Sequence, residues 1–72
     1  MPEFKDHLKA IRKTFKATQK QVAKAIHVSE RNYQDWEYGN TKPNFDALIA
    51  LADFFDVSLD YLVGRSDDPN RR

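Results

Sequence analysis

Cysteine is absent from this chain of 72 residues. That excludes a disulfide framework and a thiolate metal site, so packing must hold the fold, and nine aromatic side chains are available for it. No apolar run approaches the ~20 residues that a bilayer-spanning helix needs, and the opening MPEFKDH has no apolar signal region. The expectation is a cytoplasmic protein with no membrane partner. There is no glycine-rich phosphate loop and only two histidines are present. Ser29 and Ser58 fit helix caps better than nucleophiles. No enzyme, cofactor, metal or small-molecule ligand is therefore expected. An alternating strand pattern, internal repeats and low-complexity segments are also missing, which leaves an all-α domain. A chain this short makes one domain of modest buried fraction and marginal stability.

What is present is uneven. Residues 1–42 hold nine Lys/Arg against five Asp/Glu, and residues 43–72 hold three against six. The small net charge of +1 thus hides a basic half and an acidic half, the pattern of a face turned toward a polyanion. A solvated surface with chance unevenness would look the same by charge alone.

Helical spacing of Phe4, Leu8, Ile11 and Phe15 predicts a first helix over about 3–14, with Lys5, Lys9, Lys13 and Lys16 off its stripe. Thr18-Gln19-Lys20-Gln21 reads as a capping box that opens a second helix, with Val22, Ala23 and Ile26 inward. His27-Val28 is the turn. Ser29 caps a third helix that runs to about Tyr38 and stops at Gly39. After the loop Asn40–Pro43, Asn44 caps a fourth helix with inner stripe Phe45, Leu48, Leu51, Ala52 and Phe55. Ser58 caps a short fifth with Leu59 and Leu62 inward, and Gly64 ends it. The expected domain spans 1–65, and 66–72 is expected to form a flexible tail.

The stretch from Thr18 to Gly39 carries the functional signal. On a wheel of 100° per residue, Tyr33, Trp36 and Glu37 share one arc of helix three, and Arg31, Gln34, Asp35 and Tyr38 share the opposite one. The aromatic arc anchors the helix in the core. The polar arc has donors and acceptors of the kinds that read base edges in the major groove, although any solvated helix face has a similar composition. The amides of Thr18–Gln21 at the start of helix two, with the side chains of Gln19 and Lys20, offer a phosphate site, and Asn40 and Lys42 offer another. Glu37 is on the inner arc, where a lone carboxylate is costly. Arg12, at the edge of the helix-one stripe, is its best partner, so a partly buried Arg12–Glu37 ion pair is predicted. Phe54 and Phe55 are adjacent and cannot both face the core. Phe54 and Tyr61 are therefore expected to project and form a self-complementary patch for a homodimer, or else to pack, partly exposed, on their own helices. His7 is expected to face solvent.

Over Leu8 to Gly64 the chain resembles the Cro/CI-type helix-turn-helix domains of the xenobiotic-response-element class. The segments that carry the likeness are LKAIRK, TQKQVAKAIHVS, WEYG, TKPNFDALIALADFF and VSLDYLVG. The resemblance implies a five-helix lambda-repressor-like fold and a sequence-specific transcriptional regulator, of phage or prophage repressor type, that binds a pseudo-palindromic double-stranded operator as a dimer. It implies that Gln19 takes a phosphate and that Ala23 is the small residue where helices two and three approach. Ser29, Glu30, Arg31, Asn32 and Asp35 then touch bases and nearby phosphates, while Tyr38, Asn40 and Lys42 contact phosphates. It pairs Arg12 with Glu37 and puts Tyr61 near the dimer contact. Three positions depart from the pattern. His27 stands where glycine is usual, and Tyr33 where an aliphatic is usual. Glu30 and Asp35 put negative charge on the reading face, which favours cytosine amino groups. That acidity also leaves open a second reading, a protein-interaction module of the same fold serving an antirepressor, a toxin or a polymerase subunit.

Overall fold

The computed structural model describes residues 3–70. Met1, Pro2, Arg71 and Arg72, at the start of the expected domain and the end of the expected tail, lie outside them. The chain forms five helices, α1 (Phe4–Thr14), α2 (Gln19–Ala25), α3 (Glu30–Tyr38), α4 (Phe45–Phe55) and α5 (Leu59–Leu62), and no strand occurs among the described residues. Each predicted helix exists within a residue or two of its expected bounds, and the starts of α2 to α5 carry the predicted caps. Thr18 and Gln21 form the full capping box. Ser29, Asn44 and Ser58 accept from the amides of Asn32, Ala47 and Tyr61 at 3.0, 2.8 and 3.0 Å.

All five helices end alike. A residue with left-handed backbone follows each, and the next amide reaches back five residues. These bonds run from Ala17 to the Arg12 carbonyl, Val28 to Ala23, Asn40 to Asp35, Val57 to Ala52 and Arg65 to Asp60. This is the 6→1 bond of the Schellman ending. Gly39 and Gly64 fill the left-handed place after α3 and α5, at φ 83° and 84°. Lys16, His27 and Asp56 fill it elsewhere, at 61°, 62° and 55°. His27 is thus the turn residue the sequence predicted, in a conformation that costs a β-carbon about 1–2 kcal/mol.

The core joins Leu8 and Ile11 of α1, Val22 and Ala23 of α2, Tyr33 and Trp36 of α3, and Leu51, Ala52, Phe55, Val57 and Leu62 from the C-terminal half. α3 packs on α2 and α1, while α5 packs on α4 and α1. Helix one therefore bridges two sub-assemblies and carries α3 on one side.

Several expectations fail, for two reasons. Phe45 and Leu59, expected inward, are 69% and 40% exposed. Each is the first residue of its helix, and helical side chains lean toward the N-terminus, so a first-turn side chain points past the helix end. Phe54 and Tyr61, expected to project, are half-buried because other rings cover them. The Phe54 centroid lies 5.3 Å from Phe15 and 5.1 Å from Phe55. Tyr61 lies 5.2 Å from His7 with the rings edge to face. His7 consequently does not face solvent. Its Nδ1 is buried without a hydrogen-bond partner, and a β-carbon on Gly64 would stand 3.5 Å from it. Residues 66–70 of the expected tail turn back onto α5. The amide of Ser58 donates to the Pro69 carbonyl at 3.0 Å, and that of Ser66 to the Asp60 carbonyl at 3.2 Å.

Candidate nucleic-acid interface

The third helix is seated as its wheel predicts. Tyr33, Trp36 and Glu37 are buried, Arg31 and Tyr38 are exposed, and Gln34 and Asp35 are half-buried. The Tyr33 and Trp36 rings meet edge to face at 5.7 Å, a favourable geometry for aromatic pairs. The inner face is therefore fixed and the polar flank stands outward.

A buried carboxylate holds this seat. The Glu37 side chain is fully buried, and that of Arg12 is 13% exposed. Arg12 donates through Nε to Glu37 Oε2 at 2.7 Å and through Nη2 to Oε1 at 3.1 Å, a two-pronged pairing that adds direction to charge. The predicted ion pair is present. Two partners that the sequence did not reveal complete it. The Tyr33 hydroxyl donates to Oε2 at 2.5 Å, and Gln19 Nε2 donates to Oε1 at 3.0 Å. Arg12 Nη1 also reaches the Ala17 carbonyl at 3.0 Å, so one guanidinium ties α1, the turn before α2, and α3 together.

The electrostatics follow from this geometry. Burial pushes the Glu37 carboxyl up, but the hydrogen bonds from Arg12, Tyr33 and Gln19 outweigh it and hold the group below its usual value. The bond to Glu37 raises the Arg12 guanidinium, against a smaller opposing effect of burial. Burial first, and then the bond to Glu37, push the Tyr33 phenol well above its usual value. At neutral pH the cluster is one anion, one cation and one neutral phenol.

Tyr33 was the legible member of the missed pair, since it lies four residues before Glu37 on the same arc. Gln19 had no such signal, because only the tertiary approach of α2 to α3 brings it to the carboxylate. α2 and α3 pack against each other, and Ala23 of α2 is buried.

Around this base the structure gathers most residues singled out in the sequence. Thr18, Lys20, Ser29, Glu30, Arg31 and Asn32 are exposed on α2, α3 and the turn between them. Gln34 Nε2 donates to Gln19 Oε1 at 3.3 Å and to Glu30 Oε2 at 3.4 Å. Asn40 Nδ2 donates to Asp35 Oδ1 at 3.3 Å, linking the loop after α3 to its flank. Lys42 is exposed beyond it. The expected ring of free amides on α2 is smaller than the sequence suggested. The capping box consumes those of Thr18 and Gln21, which leaves the amides of Gln19 and Lys20 open. Phe54 and Tyr61 belong to the C-terminal half and take no part here. Among the described residues no group of three His, Asp or Glu side chains gathers as a metal site, and no helix is long and apolar enough to cross a membrane.

Comparison with known proteins agrees with this geometry. A helix-turn-helix family model matches residues 8–62. The HTH-type transcriptional regulator YobD of Bacillus subtilis is 40% identical over 63 residues, covering 88% of this chain and 56% of that protein. The cryptic phage CTXphi transcriptional repressor RstR of Vibrio cholerae is 35% identical over 63 residues, with the same two coverages. The chain thus spans little more than half the length of these curated relatives. Among solved structures, the P22 c2 repressor in complex with a synthetic operator superposes with a TM-score of 0.83 at 30% identity, covering 92% of this chain and all of that one. The five-helix arrangement is the lambda-repressor-like fold, and the chain belongs to the Cro/CI-type helix-turn-helix family, with α2 and α3 as its helix-turn-helix.

Proposed function

We propose that this chain is the DNA-binding domain of a cytoplasmic, sequence-specific transcriptional regulator of phage-repressor type, reading the major groove with α3. The observation that carries the reading is the seat of α3. Its aromatic face and Glu37 are buried and tied to α1 and α2, and its polar flank is turned outward with Arg31 and Tyr38 exposed. The likeness to a repressor solved on its operator supports this use of the flank. In this reading Arg31, with Ser29, Glu30, Asn32, Gln34 and Asp35, meets bases and nearby phosphates. Thr18, Gln19, Lys20, Tyr38, Asn40 and Lys42 meet the backbone. Phosphate contacts fix register and base contacts specify sequence.

The regulator acts as a homodimer on a pseudo-palindrome, with two copies of α3 in major grooves about 34 Å apart. Phe54 and Tyr61 are engaged with rings of their own chain, so they are weak candidates for the contact. Phe45, Ile49 and Leu59 are 69%, 36% and 40% exposed, and Ile49 and Leu59 line one groove. We assign the dimer contact to this surface instead. The interaction-module reading rested on the acidity of the flank, yet Glu30 and Asp35 both accept amide hydrogens within it.

Selection from random duplex DNA with the purified protein tests the proposal. The expected product is an enriched palindrome whose affinity falls steeply with salt, by about −0.9 in log–log slope per phosphate neutralised. Recovery of unselected sequence would overturn it.

A further inference from the structure

The hydrogen bonds around Glu37 have a direction. An ionised carboxylate only accepts, so the end of the Gln19 amide that faces Glu37 must be its NH2. That turns Gln19 Oε1 toward Gln34, which must answer with its own NH2, as the 3.3 Å contact requires. The second hydrogen of the same Gln34 NH2 goes to Glu30 Oε2 at 3.4 Å. Both Gln34 donors are then engaged within the protein, and its carbonyl oxygen remains as the group for an outside partner.

We propose that the buried Glu37 carboxylate sets the polarity of a Glu37–Gln19–Gln34 amide relay, so that Gln34 meets DNA as a hydrogen-bond acceptor and selects a base that bears an amino group, adenine or cytosine. A free glutamine is not confined to accepting, since its amide can pair with adenine through both ends or turn either end to the groove. In the major groove the adenine N6 and cytosine N4 amino groups donate, whereas guanine O6 and N7 and thymine O4 accept. An acceptor held in place therefore distinguishes amino bases from keto bases at one position of each half-site. Glu30, whose other carboxylate oxygen is also an acceptor, reinforces the same preference. Gln34 is the base-contacting residue here, and Gln19, Glu37 and the Tyr33 hydroxyl that braces Glu37 are positioning residues. The inference rests on the DNA-reading role of α3 and adds to it the chemistry of one contact.

The relay reverses in Glu37→Gln. The substituted amide keeps its carbonyl at the site where Arg12 Nε and the Tyr33 hydroxyl converge at 2.7 and 2.5 Å, which turns its NH2 toward Gln19 and displaces the longer Arg12 Nη2 contact of 3.1 Å. Gln19 and Gln34 must flip in turn, and Gln34 then shows donors to the groove. Selection from random DNA is run with the unaltered protein, Glu37→Gln and Gln34→Ala, and circular dichroism confirms that each is folded. The unaltered protein is expected to enrich A or C at one position per half-site. Gln34→Ala, on a half-buried flank, is expected to lose that preference by about 2–10-fold, the worth of one neutral hydrogen bond, and to keep every other position. Glu37→Gln is expected to shift the same position to G or T. An enriched site that Gln34→Ala leaves unchanged, or a folded Glu37→Gln that still prefers A or C, would overturn the relay alone. Should Glu37→Gln fail to fold, Gln19→Ala cuts the relay between Glu37 and Gln34 instead: relaxed selection at the same position is the expected result, and an unchanged preference for A or C would overturn the relay. No enrichment with the unaltered protein would overturn the DNA reading and the relay with it.

Discussion

The two halves of this molecule share one apolar core and differ in what is added to it. In the N-terminal half, α1, α2 and α3 meet around Arg12, Glu37, Tyr33 and Gln19, a cluster of charged and polar groups with directed hydrogen bonds. In the C-terminal half, the core residues are Leu51, Ala52, Phe55, Val57 and Leu62, with the rings of Phe15, Phe54 and Phe55 meeting tilted or edge to face. Apolar burial is non-directional and tolerates small shifts, whereas a fully bonded buried carboxylate accepts one arrangement. The difference assigns the work. The half that carries α3 adds directed bonds to its apolar packing, and the C-terminal half relies on apolar contact and leaves some of it exposed. The charge follows the same division, basic before residue 43 and acidic after.

Substitutions can break this contrast, and the largest effect belongs to the ion pair. Arg12→Met leaves Glu37 buried and unpaired, which costs about 3–5 kcal/mol. For a domain of this size that lowers Tm by more than ~10 °C in a thermal melt, and an unchanged melt would show the pair to be idle. Tyr33→Phe keeps the ring and removes one charge-assisted bond, with an expected loss of about 1.5–3 kcal/mol in urea unfolding.

Proton titration addresses the same cluster without mutation. Glu37 is held below its usual value, so its contribution is complete above the ordinary carboxylate range near 4.5 and is lost as pH falls through and below it. Tyr33 is held above its usual value, so its contribution is complete below about 10 and lost as pH rises past that. Stability plotted against pH should form a plateau between these limits. Tyr33→Phe should remove the Tyr33 contribution to the alkaline limb and make the acid limb smaller, because the hydrogen bonds from Arg12 and Gln19 alone then hold Glu37 down.

The smaller effects lie elsewhere. His27→Gly relieves a left-handed β-carbon and is expected to stabilise by about 1 kcal/mol, read as a higher urea midpoint. Leu59→Lys on the exposed groove is expected to change monomer stability by less than about 0.5 kcal/mol while abolishing self-association in analytical ultracentrifugation. If Phe54→Lys rather than Leu59→Lys removed the dimer without unfolding the monomer, the assignment of the contact to Phe45, Ile49 and Leu59 would be wrong.

How much of this was legible depended on distance along the chain. Caps are local, and Thr18, Ser29, Asn44 and Ser58 announced four helix starts that the structure confirms. The wheel of α3 needs only nine residues and put Tyr33, Trp36 and Glu37 on the buried side. The Arg12–Glu37 pair spans 25 residues and was still legible, because a carboxylate on an apolar arc demands a cation and few were placed to answer. Gln19 at Glu37 was not, since an uncharged amide makes no such demand. Helix spacing also misplaced Phe45 and Leu59, because periodicity assigns a face and ignores the helix end. His7 and Tyr61 found each other across α1 and α5, a pairing that no local pattern encodes.

The central claim is that the outward flank of α3 reads bases rather than merely attracting phosphates. Comparing the unaltered protein with Arg31→Ala, on the selected site and on scrambled duplex at the same salt, tests it most directly. A loss of about 1–3 kcal/mol on the selected site, with scrambled duplex little affected, is the expected result. An equal loss on both duplexes would contradict the claim.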